Sequence, residues 1–348
     1  MKVLAEPVGL NTTAVSIPDT NLSVSEYETY DPSVIYSVGA RVTLNGRDYE
    51  SIVAANQSNN PEQNPDKWVL VGASNLFRLL DKQISSRAKP TTSDLTKPFT
   101  FLEADGTITL YNTGGVVFGE RGGIALTVII TTAENRPLLI DSVALVSCFN
   151  ARLIRLRASS GAVTKYYECD CLDVTPEEQE YKGINPETVR NYKLEIDTVV
   201  LTQSSPALRL DIVILPEMPA SGVPIQSVPV CSIGEFVFGK IIELGRAKYS
   251  GVTTGFQDFS RVERDDFGNV SVSKRSYARR VNVPFIISKS RAPIVNQVVA
   301  DSRATPRLYT YGCHSGTSSV YGIHQDFNVT YEDYDHVVGD IEILGLAE

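Results

Sequence analysis

Short runs in which apolar and polar residues alternate recur along most of this chain. One such run places Ile124, Leu126, Val128 and Ile130 at every second position. A period of two residues is the period of a β-strand with one buried face. Clusters of turn-forming residues, such as Ser159-Ser160-Gly161, separate the runs. Several strands at this spacing predict an antiparallel β-sandwich of the jelly-roll type over residues 96–245.

The flanking regions predict four further units, which makes the expected fold class mainly β. Residues 1–25 are polar and lack periodicity, so we expect an extended N-terminal arm that orders against a neighbour. Residues 26–72 form a small domain, and residues 73–95 a helix and linker. Residues 246–348 predict a C-terminal α+β or barrel-like domain with one helix.

The two helices are predicted from apolar spacing and capping residues. In the first, the apolar residues are three or four positions apart and Ser74 is the predicted N-cap; they are Leu76, Leu79, Leu80 and Ile84. In the second, Ser290 is the predicted N-cap of a helix whose apolar side carries Ile294, Val295, Val298 and Val299.

The small domain over residues 26–72 shows a strong hairpin signal. Asn45-Gly46 lies between alternating runs that contain Val42, Leu44 and Tyr49. A loop rich in Asn and Pro then precedes Trp68, the single tryptophan of the chain. The pattern predicts a unit of two or three strands, near the lower size limit for independent folding.

Charge and hydropathy exclude two classes of protein. The chain has 348 residues, a formal net charge of −9 and a pI near 5.1, which argues against a nucleic-acid partner. It contains no run of 18 apolar residues, so we expect no membrane span. The N-terminal residues do not resemble a signal peptide, so we expect synthesis in the cytoplasm. The five cysteines are scattered and predict reduced thiols.

The sequence carries no catalytic motif, and we expect no enzyme, no cofactor and no metal. The three histidines, His314, His324 and His336, are too far apart for the usual zinc spacing. Carboxylates occur in clusters that suit solvated loops. One of them, Tyr331 to Asp335, leaves calcium binding through hard oxygens as a weak alternative.

A cluster of mixed charge lies in the C-terminal region, on either side of a predicted hairpin turn at Asp266 to Asn269. Its arginines are Arg261, Arg264, Arg275, Arg279 and Arg280. A basic strand can pair with an acidic strand across one hairpin. Alternatively, the arginines pair with carboxylates across a subunit boundary, which makes them candidate residues of an assembly interface.

The small domain resembles the chitin-binding type of carbohydrate module. The matching residues are Tyr36-Ser-Val-Gly39, Val42, Asn45-Gly46, Tyr49, the Asn/Pro loop and Trp68. The resemblance implies aromatic rings that stack on sugars, for which the candidates here are Tyr30, Tyr36, Tyr49 and Trp68. The stretch after Tyr49 lacks the platform tryptophan of the family, and the counterpart of Trp68 closes the small core there.

The C-terminal region resembles a family of tail proteins of tailed bacteriophages. The matching strings are Phe259-Ser-Arg-Val-Glu-Arg-Asp-Asp-Phe-Gly268, Lys274-Arg-Ser-Tyr-Ala-Arg-Arg280, Ala304-Thr-Pro306, Tyr321-Gly-Ile-His-Gln-Asp-Phe327 and Glu342-Ile-Leu-Gly-Leu346, preceded by Ile233 to Gly239. The resemblance implies a virion protein of the tail or baseplate that has a structural role.

Three functions follow as expectations. The first is a structural tail or baseplate component that forms homo-oligomers and contacts neighbouring tail proteins. The second is a host receptor-binding protein of the tail that holds a surface glycan. The third is a glycan-degrading enzyme, which requires a pair of carboxylates in a cleft.

Overall fold

A computed structural model describes most of the chain. The described residues are 1–5, 15–91, 99–111, 122–131, 138–170, 190–201, 207–216, 230–248, 250–264, 270–312, 319–331 and 336–347. The mainly β fold class is confirmed, and these residues contain one α-helix, α1 (Ala292–Asp301), and a 3-10 helix over Leu76–Leu79.

The strands follow in chain order. They are β1 (Lys2–Ala5), β2 (Val15–Thr20), β3 (Arg41–Leu44), β4 (Arg47–Ser51), β5 (Trp68–Ala73), β6 (Phe99–Leu102), β7 (Ile108–Tyr111), β8 (Ile124–Thr131), β9 (Leu138–Cys148), β10 (Ala151–Ser160), β11 (Val163–Asp170), β12 (Arg190–Leu201), β13 (Ala207–Pro216), β14 (Glu235–Glu243), β15 (Arg246–Ala247), β16 (Thr253–Asp258), β17 (Arg261–Arg264), β18 (Val270–Ser273), β19 (Tyr277–Ser288), β20 (Arg307–Thr310), β21 (Ser319–Tyr331) and β22 (His336–Gly345).

Two sheets form a sandwich with jelly-roll strand order. One face has the order β1-β14-β9-β12, and the other has the order β8-β13-β10-β11, with β2 added beside β8. Successive strands mostly switch between the two sheets, which is the connectivity of a jelly roll. The alternating apolar residues meet between the sheets, as Ile140, Leu145 and Phe236 do from one side and Ile154 and Ile212 from the other.

The first residues of the chain are part of this fold, so the prediction of an extended arm over residues 1–25 is wrong for the strands described there. β1 lies between β14 and β20, with Val3 opposite both Ile242 and Tyr309. β2 pairs with β8. Both Val3 and Leu4 are buried, and a four-residue strand with two buried faces shows no alternation that a sequence pattern could reveal.

β1 also joins the jelly roll to the C-terminal strands. The same sheet continues in the order β20-β21-β22-β19-β15, so it crosses the predicted boundary at residues 245 and 246 without a break. Helix α1 covers one face of it with Val295 and Val299. Ser290 is not the N-cap; that position is Arg291, without a side-chain capping bond, and Pro293 lies in the first turn of the helix.

The small domain has the predicted three strands, in the order β3-β4-β5. Asn45 and Gly46 both have positive φ, 49° and 76°, as a two-residue type I′ hairpin requires. The helix predicted after it is wrong in length and type, because only the 3-10 turn Leu76–Leu79 forms. Lys82 has a φ of 58°, which is outside the helical conformation. Ser74 makes no capping bond there.

Within the described residues, no helix has both the length and the apolar character needed to cross a membrane.

Candidate functional site

A long exposed segment leaves the edge of the large sheet and forms a separate hairpin. β16 pairs with β19, and all six of its residues are exposed. The chain then forms β17 and β18, which pair only with each other among the described residues. We call the pair β17–β18 the ribbon. All eight of its residues are exposed, so neither of its faces packs on the described body of the protein.

The two faces of the ribbon differ in chemistry. Val262 lies directly opposite Val272, and Val270, two residues along β18, shares their face together with its cross-strand partner Arg264. These valines are 61%, 63% and 53% exposed, respectively. The opposite face carries only polar or charged residues, which are Arg261, Glu263, Ser271 and Ser273. The ribbon is therefore amphipathic, and its apolar face is turned to solvent.

Exposed aromatic residues lie at the base of the ribbon. Phe256 of β16 is 72% exposed and makes an edge-to-face contact with Tyr277 of β19, at 6.2 Å between ring centroids. Phe259 lies between β16 and β17 and is also exposed. With the three valines, these rings are the exposed large apolar side chains of the described residues between 256 and 277. We call these side chains and their strands the ribbon surface.

The predicted arginines do not form an acidic–basic strand pair across the hairpin. Arg261 and Arg264 face Ser273 and Val270, and Arg261 instead pairs with Glu263 of its own strand. The predicted turn residues 265–269 lie outside the described part of the chain.

The remaining arginines of the predicted interface occupy two places. Arg275 is exposed at the base of the ribbon, where its backbone N–H donates to Ser260 Oγ at 3.0 Å. Arg279 and Arg280 belong to β19, and Arg280 pairs with Glu342 of β22 at 2.6 Å. Arg261, Arg264 and Arg275 thus lie at the ribbon surface, whereas Arg280 is engaged within the large sheet.

The aromatic residues of the small domain form its core. Trp68 is 2% exposed and Tyr49 is 5% exposed, and both pack with Val42. The Trp68 indole N–H donates to the Asn59 carbonyl at 2.8 Å. Tyr30 and Tyr36 stack on each other at 5.9 Å and meet the Trp68 ring edge-on.

This packing corrects the prediction of a four-ring sugar site. A sugar-binding platform needs ring faces that are open to solvent. Trp68 and Tyr49 are buried, so these two rings cannot stack on a sugar. Tyr30 and Tyr36 are half-buried, and burial raises the pKa of the Tyr30 hydroxyl. Their rings stabilise the three-stranded sheet.

We expect the fluorescence of Trp68 to report a buried indole. Because Trp68 is the single tryptophan, the emission of the whole chain should be blue-shifted and weakly quenched by iodide. Titration with chitin oligosaccharides should leave both the emission maximum and the quenching unchanged. Trp68→Phe should cost about 1 kcal/mol of stability through the lost hydrogen bond. A sugar-dependent emission shift would instead restore the ring to a binding role.

Two carboxyl groups, the buried Glu235 and the half-buried Asp81, lie at the junction of the linker and the sandwich. Glu235 of β14 is 3% exposed, and its Oε2 accepts the Lys82 backbone N–H at 2.7 Å. Burial raises the pKa of Glu235 to about 9 and that of Asp81 to about 6. Such shifts are found at catalytic acids, but an acid that is enclosed to this degree cannot reach a polymeric substrate.

The other reactive side chains are enclosed or dispersed. Burial raises the pKa of Cys148 and Cys231, so both thiols stay protonated and inert. The described part of the chain brings no three His, Cys, Asp or Glu residues together in a way that could hold a metal ion. His314, Cys171, Cys313 and the predicted calcium-binding residues 332–335 lie outside the described residues.

Comparison with known proteins identifies no relative: no protein-family model, no curated protein and no solved structure matches the chain.

The sequence prediction did not include the apolar face of the ribbon, although the sequence contains a pattern that indicates it. Val270 and Val272 alternate with serines, and Val262 lies on the other side of the predicted turn. This alternation predicts an apolar hairpin face. Only the structure places that face away from the core.

Proposed function

We propose that this protein is a structural component of a bacteriophage tail or baseplate, which assembles with copies of itself and with neighbouring tail proteins through the ribbon surface. The resemblance of the C-terminal region to tail proteins of tailed phages supports the proposed location in a phage tail. The assembly step has its own physical support, which does not depend on that resemblance.

The single observation that carries the proposal is the exposed apolar face of the ribbon. A two-stranded hairpin is marginally stable in water when it stands alone. In the isolated chain, more than half of each of the three valine side chains stays in water; they are Val262, Val270 and Val272. This exposed surface contributes hydrophobic free energy only when a partner covers it. A ribbon with this composition is therefore suited to docking.

The strand edges beside it offer hydrogen bonds to the same partner. β16 has a neighbour on one side only among the described residues, and its sequence TTGFQD carries one charge, on Asp258. Natural edge strands are usually protected by lysine, proline or a covering element, because open backbone groups pair with other chains. An edge without this protection favours strand addition between subunits.

The proposal is tested by placing the same charges on the apolar face and on the polar face of the ribbon. We expect Val262→Asp combined with Val272→Asp to abolish self-association, measured by sedimentation velocity, and to prevent incorporation into assembled tails. Placing two carboxylates in a buried interface leaves charges without partners, so the affinity should fall by at least 100-fold. The melting temperature of the body should stay unchanged, because neither valine contacts the core.

The matched control is Ser271→Asp with Ser273→Asp, which adds the same charges to the polar face of the same ribbon. We expect this variant to assemble like the wild type. Normal incorporation of the Val262/Val272 variant, or equal defects in both variants, would refute the proposed role of the apolar face.

A further inference from the structure

The strand β5 of the small domain exposes apolar side chains. Trp68 at its start is buried in the core of the domain, but the three residues that follow are about half exposed. Their exposed fractions are 47% for Val69, 51% for Leu70 and 48% for Val71. Single apolar residues are normal on a protein surface, whereas contiguous groups of them mark interaction sites. The strand β5 is therefore a candidate interaction surface.

β5 lies at the edge of its three-stranded sheet and, among the described residues, pairs with β4 alone. The Ile52 N–H donates to the Lys67 carbonyl at 3.0 Å, and hydrogen-bonded pairs recur at every second residue of an antiparallel ladder. Val69 therefore turns its backbone groups towards β4, and Leu70 turns its N–H and C=O to the open edge. The pairing shifts after Leu70, so Val71 is the extra residue of a β-bulge. An edge of this kind can hydrogen-bond to one further strand.

The composition of β5 favours the addition of such a strand. Its sequence WVLVGA contains no charged residue and no proline. Lys67, the cation just before it, is engaged, because its ammonium donates to Asn59 Oδ1 at 2.8 Å. Natural edge strands usually carry lysine, proline or a covering element, since they otherwise pair with other chains. The apolar edge of β5 has neither of these residues within it.

The charge of the small domain indicates which kind of strand it can take. Residues 26–72 contain seven acidic and three basic residues, and the whole chain has a formal net charge of −9. Asp66, two positions before β5, is exposed and makes no ion pair with any described residue. Two small domains therefore repel each other, whereas a segment that carries lysine or arginine is attracted. The charges favour a basic segment of another protein over a second copy of this chain.

We propose that the open edge of β5 binds an extended segment of another protein, in which apolar and polar residues alternate and lysine or arginine flanks the run. The backbone of this segment hydrogen-bonds to Leu70, and its side chains cover Val69 and Val71. Burial of these apolar groups supplies hydrophobic free energy, and the backbone bonds fix the direction of the strand. The contact goes beyond the proposed function, because it involves the small domain and not the ribbon surface.

A synthetic peptide tests the proposal on the full chain. Its sequence is Lys-Val-Thr-Val-Thr-Val-Lys with a fluorescent label, and fluorescence anisotropy measures its binding at low salt. We expect saturable binding that weakens as salt rises, because exposed charges are screened. A second peptide has the same side chains but is N-methylated at its central residues, which removes its backbone donors. Its affinity should be lower by about tenfold or more.

Two variants locate the binding site. Val69→Lys with Val71→Lys should weaken peptide binding by about tenfold or more, because lysine on an edge strand opposes pairing. The matched control is Val34→Lys with Ile35→Lys, which adds the same charges to exposed positions of the small domain outside β5. The control should bind the peptide like the wild type. All four side chains are exposed, so both variants should keep the wild-type melting temperature.

Each contrary result overturns the proposal. No saturable binding, or equal affinity of the N-methylated peptide, excludes strand addition. Undiminished binding by the Val69/Val71 variant places the peptide on another edge, such as that of β16, and equal losses in both lysine variants leave only a charge effect. Weaker self-association of the Val69/Val71 variant in sedimentation velocity would make a second copy the occupant. The Val262/Val272 variant should bind the peptide normally, which separates this site from the proposed function.

Discussion

Replacing Val3 by aspartate is expected to prevent the chain from folding stably. Val3 is 2% exposed and packs in the C-terminal core with Tyr309 and Ile343, although it lies more than 300 positions from both along the chain. The aspartate would bury a charge without a partner, which costs several kcal/mol, while whole domains are stable by only about 5–15 kcal/mol. The measurement is soluble yield together with thermal and urea unfolding.

Lys2→Ser is the matched control, one position away on the same strand. The Lys2 side chain is 43% exposed, and its ion pair with Glu195 lies at the surface. Exposed pairs of this kind contribute about 0–1 kcal/mol, so the variant should unfold like the wild type.

The two structural interpretations of the N-terminus differ in what this experiment shows. If residues 1–25 were an arm that orders only against a neighbour, Val3→Asp would impair assembly and leave the unfolding of the monomer unchanged. With β1 between β14 and β20, the same substitution disrupts the sheet that links the jelly roll to the C-terminal strands. A melting temperature within a few degrees of wild type would contradict the position of β1.

Local patterns were sufficient where a segment determines its own conformation. The Asn45-Gly46 hairpin, the strand β8 and the helix α1 can each be predicted from the residues of that element alone. The expectation failed for β1, because its strand neighbours lie more than 230 positions away and a pairing partner leaves no local trace. It also failed for residues 73–88, where helical spacing of leucines instead reflects the docking of a 3-10 turn on the sandwich.

The candidate site shows the same division between composition and placement. The sequence locates Trp68 and the arginines near residue 261, but it does not say which side chains face solvent. Trp68 is enclosed, whereas Phe256 and Val262, which look like core residues, are exposed. Burial is a property of tertiary packing, so the sequence predicted exposed rings in the small domain that are in fact enclosed, and it did not predict the exposed apolar residues of the ribbon surface.

The pH dependence of stability provides the second large expected effect, and its source is Glu235. In the unfolded chain this carboxyl group titrates near its ordinary pKa of 4.5, whereas burial raises its pKa in the folded protein to about 9. Between these two values the folded state holds a proton that the unfolded state has released. The contribution of Glu235 to stability is therefore fully present below about pH 4.5 and is lost as the pH rises towards 9.

We expect Glu235→Gln to remove most of this decline. The glutamine amide oxygen can still accept the Lys82 N–H, and the side chain carries no charge at any pH. The difference between the variant and the wild type should be small at pH 5 and of the order of 3 kcal/mol in favour of the variant at pH 8. Urea unfolding at a series of pH values measures it.

Asp81→Asn separates the two carboxyl groups because their pH windows differ. Burial raises the Asp81 pKa only to about 6, so its contribution is lost between about pH 4 and pH 6. The asparagine variant should therefore lose stability less steeply between about pH 4 and pH 6, where Glu235 still contributes, and keep the decline from pH 6 to pH 9. If Glu235→Gln follows the wild-type profile throughout, Glu235 is ionised in the folded protein and the explanation from burial is refuted.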